Sequence, residues 1–131
     1  MGKGRILIID DDLDITEAMT VVLENRGYEV SSAGDGEQGM EQLKRARPDL
    51  IVLDVMMRTT QEGFELSREL KNNAAYRDIP IVMLTGVKQK TGLDFKPAAG
   101  DESWLPVDEY LDKPVKPDLL VEKVEHLLRR T

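Results

Sequence analysis

Apolar residues in this chain follow two rhythms, and the changes from one to the other mark out its elements. Ile6-Leu7-Ile8-Ile9, Leu50-Ile51-Val52-Leu53 and Ile81-Val82-Met83-Leu84 are unbroken apolar runs. Such runs read as central strands of a parallel sheet, buried on both faces by helices. Tyr28–Ser32 alternates apolar and polar, and Glu109–Leu111 is a weaker mixed run; both predict edge strands. Between the strands the period shifts to that of a helix. Asp14 predicts the first cap, with Glu17 at capping-box spacing. Ile15, Ala18, Met19, Val22 and Leu23 then share a face, and Gly27 ends the helix. A second helix starts at Asp35, turns Met40, Leu43 and Ala46 inward and stops before Pro48. Gly39 within it costs about 1 kcal/mol relative to alanine. A third runs from about Phe64 to Asn72 with Phe64, Leu66 and Leu70 inward. The last opens on Pro117 and carries Leu120, Val121, Val124, Leu127 and Leu128 inward. With right-handed crossovers, this order predicts a doubly wound, three-layer α/β fold with a five-stranded parallel sheet.

One stretch breaks the rhythm. Gly86 to Asp108 contains Gly92, Pro97, Gly100 and Pro106, and no helical apolar pattern crosses it. A connection that long in a compact domain is usually functional or disordered. Phe95, Trp104 and Leu105 are expected to pin part of it down, with Trp104 packing the loop onto the domain or anchoring a partner.

Composition narrows the classes. The length suits one domain over residues 1–131, with 40% hydrophobic and 33% charged residues. No apolar run approaches the roughly 20 residues of a membrane span, and no signal peptide opens the chain. The absence of cysteine excludes disulfides, thiolate zinc sites and cysteine nucleophiles. A cytoplasmic protein without a membrane partner is the expectation. The net charge of −7 argues against direct nucleic-acid binding. Arg129-Arg130 is read as complementing a helix C-terminus. The single histidine, His126, is read as a surface residue.

The polar residues closing the apolar runs carry the chemistry. Asp10-Asp11 follows the first run, Asp54 the second, Thr85 the third, and Lys113 follows Tyr110-Leu111. In an open parallel sheet, ligands bind outside the carboxyl ends of the strands. Three carboxylates gathered there repel one another by about 4 kcal/mol per pair at about 4 Å and an effective dielectric near 20. A hard divalent cation relieves this, and Mg²⁺, with its oxygen ligands, suits the donor set better than zinc. Asp54, on a central strand, is the candidate nucleophile for a phosphoryl group. Lys113 can neutralise a phosphoryl oxygen, Thr85 can donate to another, and Gly86 leaves room beside it. Each residue alone also has an ordinary structural reading as a cap or turn.

In chain order, four motifs resemble those of the receiver domains of bacterial response regulators: Ile6-Leu7-Ile8-Ile9-Asp10-Asp11-Asp12, Leu53-Asp54-Val55-Met56-Met57, Met83-Leu84-Thr85-Gly86 and Tyr110-Leu111-Asp112-Lys113-Pro114. The resemblance covers essentially the full length. It implies a flavodoxin-like sheet of order 2-1-3-4-5. It implies that Asp54 is the phosphoacceptor for a histidine kinase or phosphotransfer protein. Asp10, Asp11 and Asp54 would hold Mg²⁺, Asp11 more directly, with the Met56 backbone carbonyl completing the set. Thr85 and Tyr110 would form a switch pair, and Lys113-Pro114 a cis peptide. Two departures stand out. Arg58-Thr59-Thr60-Gln61-Glu62 precedes Gly63 where the family has a shorter proline-glycine turn. The interval from Thr85 to Lys113 is also longer than the family's, predicting an altered or missing helix between the last two strands.

These features lead to a stand-alone phosphoacceptor switch that acts through contacts with a downstream protein, unless the chain is an excised piece. A monomer or weak homodimer is expected. Two other readings stay open: a degenerate receiver serving as a binding module, and an Asp-nucleophile, Mg²⁺-dependent phosphohydrolase. Such hydrolases commonly carry a second acid two residues after the nucleophile, where this chain has Met56.

Overall fold

The computed structural model describes residues 4–54, 62–85, 108–113 and 115–129. The Met56 and Pro114 positions, the Arg58–Gln61 insertion and the 86–107 connection lie outside them, as does the side chain of Phe64. Nine elements are described: β1 (Gly4–Ile9), α1 (Leu13–Glu24), β2 (Tyr28–Ala33), α2 (Gly36–Arg45), β3 (Leu50–Asp54), α3 (Glu62–Lys71), β4 (Ile81–Thr85), β5 (Glu109–Asp112) and α4 (Pro117–Arg129). The strands form one parallel sheet ordered β2-β1-β3-β4-β5, so the two mixed segments are the edges and the three apolar runs the centre.

Strand periodicity splits the central side chains between two cores. Leu7, Ile9, Ile51, Leu53, Ile81 and Met83 face a cluster completed by Leu43 of α2 and by Leu66 and Leu70 of α3. Ile6, Ile8, Leu50, Val52, Val82 and Leu84 face the other, with Met19 and Leu23 of α1 and Leu120, Val124 and Leu127 of α4. Burying each such side chain contributes about 1.5–3 kcal/mol. Residues are excluded from water on both sides of the sheet, which holds its strand ends in fixed register.

The cap of α1 differs from the sequence expectation. Asp12, not Asp14, is the N-cap: its side chain accepts from the Asp14 and Ile15 backbone amides at 3.0 and 3.2 Å. The helix begins directly after the β1 turn, so the earlier of two eligible aspartates meets the free amides. Asp35 caps α2 as expected, accepting from the Gln38 amide at 2.8 Å. Ala18 and Ala46, expected inward, are exposed; Ala46 is the extended C-cap of α2 and has left the helical face. Leu128 is half-buried against its core. Gly27 follows α1 at φ +96°, a left-handed conformation that suits glycine.

At the sheet's other end, Lys71 and Asp108 anchor β5. Asp108 Oδ2 accepts from the Ile81 amide at 2.8 Å and from Lys71 Nζ at 3.2 Å. Lys71 also donates to the carbonyls of Arg77 and Ile79 at 3.2 and 3.1 Å. Lys123 of α4 reaches Glu109 of β5 at 3.0 Å.

Gly39 is buried where α2 crosses β1. A Cβ there would lie 2.6 Å from Ile9 Cδ1 and 3.2 Å from its Cγ1. Gly39→Ala should therefore forfeit the helix-propensity gain and destabilise the domain by about 1–3 kcal/mol through overpacking. Adding Ile9→Val, which removes Cδ1, should recover part of the loss in urea melts.

Candidate functional site

The pocket forms where β1, β3 and β5 stop. Asp10 directly follows β1, and its amide donates to the Ala33 carbonyl at 3.0 Å, extending the β1–β2 ladder by one bond. Asp54 is the last residue of β3, paired in register with Leu84. Both are almost fully buried, at 1% and 2% exposure, whereas Asp11 is exposed. Parity along the strands follows Ile6 and Ile8 to Asp10, and Leu50 and Val52 to Asp54, so both carboxylates belong to the same sheet face.

Their oxygens converge. One carboxylate oxygen from each of Asp10, Asp11 and Asp54 lies within 4.8 Å of the others. Lys113 Nζ is 3.1 Å from Asp54 Oδ2 and 3.4 Å from Asp10 Oδ2. The lysine is placed by the β4–β5 ladder, since its amide donates to the Thr85 carbonyl at 2.8 Å. Asp10 Oδ1 accepts from the Asp12 amide at 2.9 Å. Asp10 Oδ2 is buried and, among the described residues, has the Lys113 ion pair but no well-aligned hydrogen bond.

Burial alone would lower the Lys113 pKa, but the nearby Asp54 and Asp10 carboxylates more than compensate and hold it above its ordinary value. The lysine is thus charged at neutral pH. An all-oxygen donor set with one under-satisfied, buried carboxylate oxygen fits a hard divalent cation such as Mg²⁺, and no imidazole or thiolate joins the cluster.

Thr85 ends β4, 7% exposed, and its hydroxyl donates to Asp112 Oδ1 at 3.5 Å. Tyr110 is half-buried against the core cluster that contains Met83, its partner in register. The structure thus brings Asp10, Asp11, Asp54 and Lys113 into one pocket and places Thr85 and Tyr110 on the adjoining strands. Met56, Gly86 and Pro114 lie outside the described residues. Sequence reasoning passed over Asp12, whose amide orients Asp10, and Asp112, which holds Thr85. Asp112 stands at a strand's carboxyl end, so the rule that found Lys113 pointed to it as well.

The acidic pocket and its lysine lie at the carboxyl edge of a doubly wound sheet, where such folds bind ligands. The chain belongs to the response regulator receiver domain family, whose model matches residues 6–125. It is 36% identical over 128 residues to the DNA-binding response regulator MtrA of Mycobacterium tuberculosis (strain ATCC 25618 / H37Rv), covering 98% of this chain and 52% of that protein. The chain spans about half the length of the curated relatives it matches. Among solved structures it resembles the signal receiver domain of a signal transduction histidine kinase from Syntrophus aciditrophicus. That likeness has a TM-score of 0.80 and 32% identity, covering 98% and 92% of the two chains. It also resembles the N-terminal domain of a response regulator receiver protein from Methanoculleus marisnigri JR1. There the TM-score is 0.73 and the identity 33%, with 98% and 99% covered. Receiver domains are signalling domains of two-component systems, and the family binds Mg²⁺ in its acidic pocket.

Lys113→Met should cost about 1.5–3 kcal/mol in metal-free protein, the range for a hydrogen bond to a charged group. A lysine with a raised folded-state pKa stabilises fully below its unfolded value near 10.5 and loses that contribution as pH climbs through the folded one. The stability gap between parent and variant should hold steady from pH 7 to about 9.5 and narrow above about 10.5 in urea titrations followed by circular dichroism.

Proposed function

We propose that this domain is a phosphoacceptor switch in which Asp54 takes a phosphoryl group from a histidine kinase or phosphotransfer protein. The observation that carries the reading is the convergence of Asp10, Asp11 and Asp54, with the Lys113 ammonium 3.1 Å from the Asp54 carboxylate. In the transfer, an Asp54 carboxylate oxygen forms the new P–O bond as the P–N bond of a phosphohistidine breaks, and the electron pair leaves with the imidazole nitrogen. Burial at the end of a central strand holds Asp54 in place, so little ordering remains at the moment of transfer. Lys113 shifts its ammonium from carboxylate to phosphoryl oxygen and offsets the added charge.

Asp10, Asp11 and Asp54 are the side chains that would hold Mg²⁺, with the Met56 carbonyl supplied by analogy to the family. When bound, the ion neutralises charge on the phosphoryl oxygens. The Thr85 hydroxyl binds a phosphoryl oxygen, Gly86 leaves room for the group, and Thr85 with Tyr110 relays its arrival to the β4–β5 side of the domain. This output reaches a downstream protein rather than nucleic acid directly, from a monomer or weak homodimer. The domain assists its own phosphorylation and dephosphorylation and does not turn over an external substrate.

Treatment with a small-molecule phosphodonor and Mg²⁺ should raise the intact mass by one phosphoryl group, and Asp54→Asn should stay unlabelled. An unlabelled parent protein would overturn the reading in favour of a constitutive binding module. Multiple turnovers of an aryl phosphate would point instead to a hydrolase.

Mg²⁺ should also stabilise the unphosphorylated domain, by about 2.7 kcal/mol at a hundredfold excess over Kd. Asp11→Asn should abolish most of that gain while leaving the metal-free melting temperature unchanged or higher, because it removes one of the mutually repelling carboxylates.

A further inference from the structure

Thr85 and Asp112 are directly paired in the β4–β5 register, and both occupy the sheet face that carries Met83 and Tyr110. The Thr85 hydroxyl points its proton at Asp112 Oδ1 across 3.5 Å, longer than the roughly 2.5–3.0 Å of a strong O–H···O bond and therefore easily given up. Asp112 also immediately precedes Lys113, whose amide is fixed on the Thr85 carbonyl at 2.8 Å and whose ammonium lies on Asp54. A hydroxyl has one proton to donate. It cannot serve Asp112 and a phosphoryl oxygen at once.

From this competition we infer that Asp112 is a latch on Thr85: a positioning residue that holds the hydroxyl on β5 until a stronger acceptor arrives on Asp54. The inference rests on the phosphoacceptor reading given above. A long bond to an exposed carboxylate is weak, because water competes for both partners. A phosphoryl group of about −1.5 to −2 charge offers a better acceptor in a more buried place. Releasing Thr85 from Asp112 therefore opposes phosphoryl binding by a small, fixed amount, and the phosphorylated state must overcome it. Asp112 thereby sets how readily the switch moves without touching the phosphoryl group. Its exposure at the end of an edge strand means that substitution leaves both cores undisturbed.

Two measurements on the full chain test this. In phosphoryl-free protein, three-bond NMR couplings at Thr85 should report one dominant χ1 rotamer in the parent and rotamer averaging in Asp112→Ala. Beryllofluoride with Mg²⁺, a phosphoryl mimic, should bind Asp112→Ala about 3- to 10-fold more tightly than the parent, the range set by one net hydrogen bond. In a Thr85→Ala background the same Asp112 substitution should change affinity by less than about twofold, since a latch without its bolt has nothing to hold. An equal gain in both backgrounds would show that Asp112 acts by charge alone and would overturn the latch, as would unchanged Thr85 couplings. Labelling of Asp54 is followed by mass in the same proteins. Normal labelling with unchanged couplings refutes the latch and leaves the phosphoacceptor reading intact. Released couplings in a parent that neither labels nor binds beryllofluoride refute that reading, and the regulatory role of Asp112 with it.

Discussion

The pocket depends on one cation. Asp10 and Asp54 are carried into near-complete burial by the apolar runs Ile6–Ile9 and Leu50–Leu53, and Asp11 stands beside them. Without a counter-charge, that arrangement would strain against the same hydrophobic burial that creates it. Lys113 supplies the counter-charge from a different strand, across β4, so the site exists only when β1, β3 and β5 are all in register. Stability and geometry are therefore joined: the ammonium that offsets the buried carboxylates is also what ties β5 to the pocket.

The sheet's two-residue period explains how so few residues achieve this. Alternate positions fill the two cores, and the same alternation continues one step beyond the apolar runs. Asp10 and Asp54 inherit the face of α1 and α4, while Thr85 and Asp112 inherit the face of α2 and α3. Within β5 and the residue after it, Tyr110 touches a core, Asp112 holds Thr85 and Lys113 holds Asp54. A change at any one of them is felt by a short, stiff strand end rather than by a loop.

Much of this was legible in the chain. Apolar runs longer than three residues fixed the central strands, and the polar residue closing each run marked the pocket. What escaped was decided by contacts between distant segments. Gly39 reads as a weak point in an isolated helix, yet its missing side chain is what lets α2 sit on Ile9. The α1 cap went to Asp12 because the length of the β1 turn, invisible in a propensity scale, chose between two aspartates. Ala18 lies on the inward face by count yet is exposed, and Ala46 left the helix as its extended C-cap. The bond between Thr85 and Asp112 needs the cross-strand register, which no local pattern contains.

The Lys71–Asp108 anchor bears on how such a domain can vary in evolution. Asp108 fastens the start of β5 to the first residue of β4, and the Lys113 amide fastens its end to the last. With both ends tied to the neighbouring strand, the pairing of β5 is indifferent to the length of chain spanning residues 86–107. Insertions and deletions there can accumulate without sliding Lys113 out of step with Asp54, so that connection can change in length while the acidic pocket keeps its counter-charge.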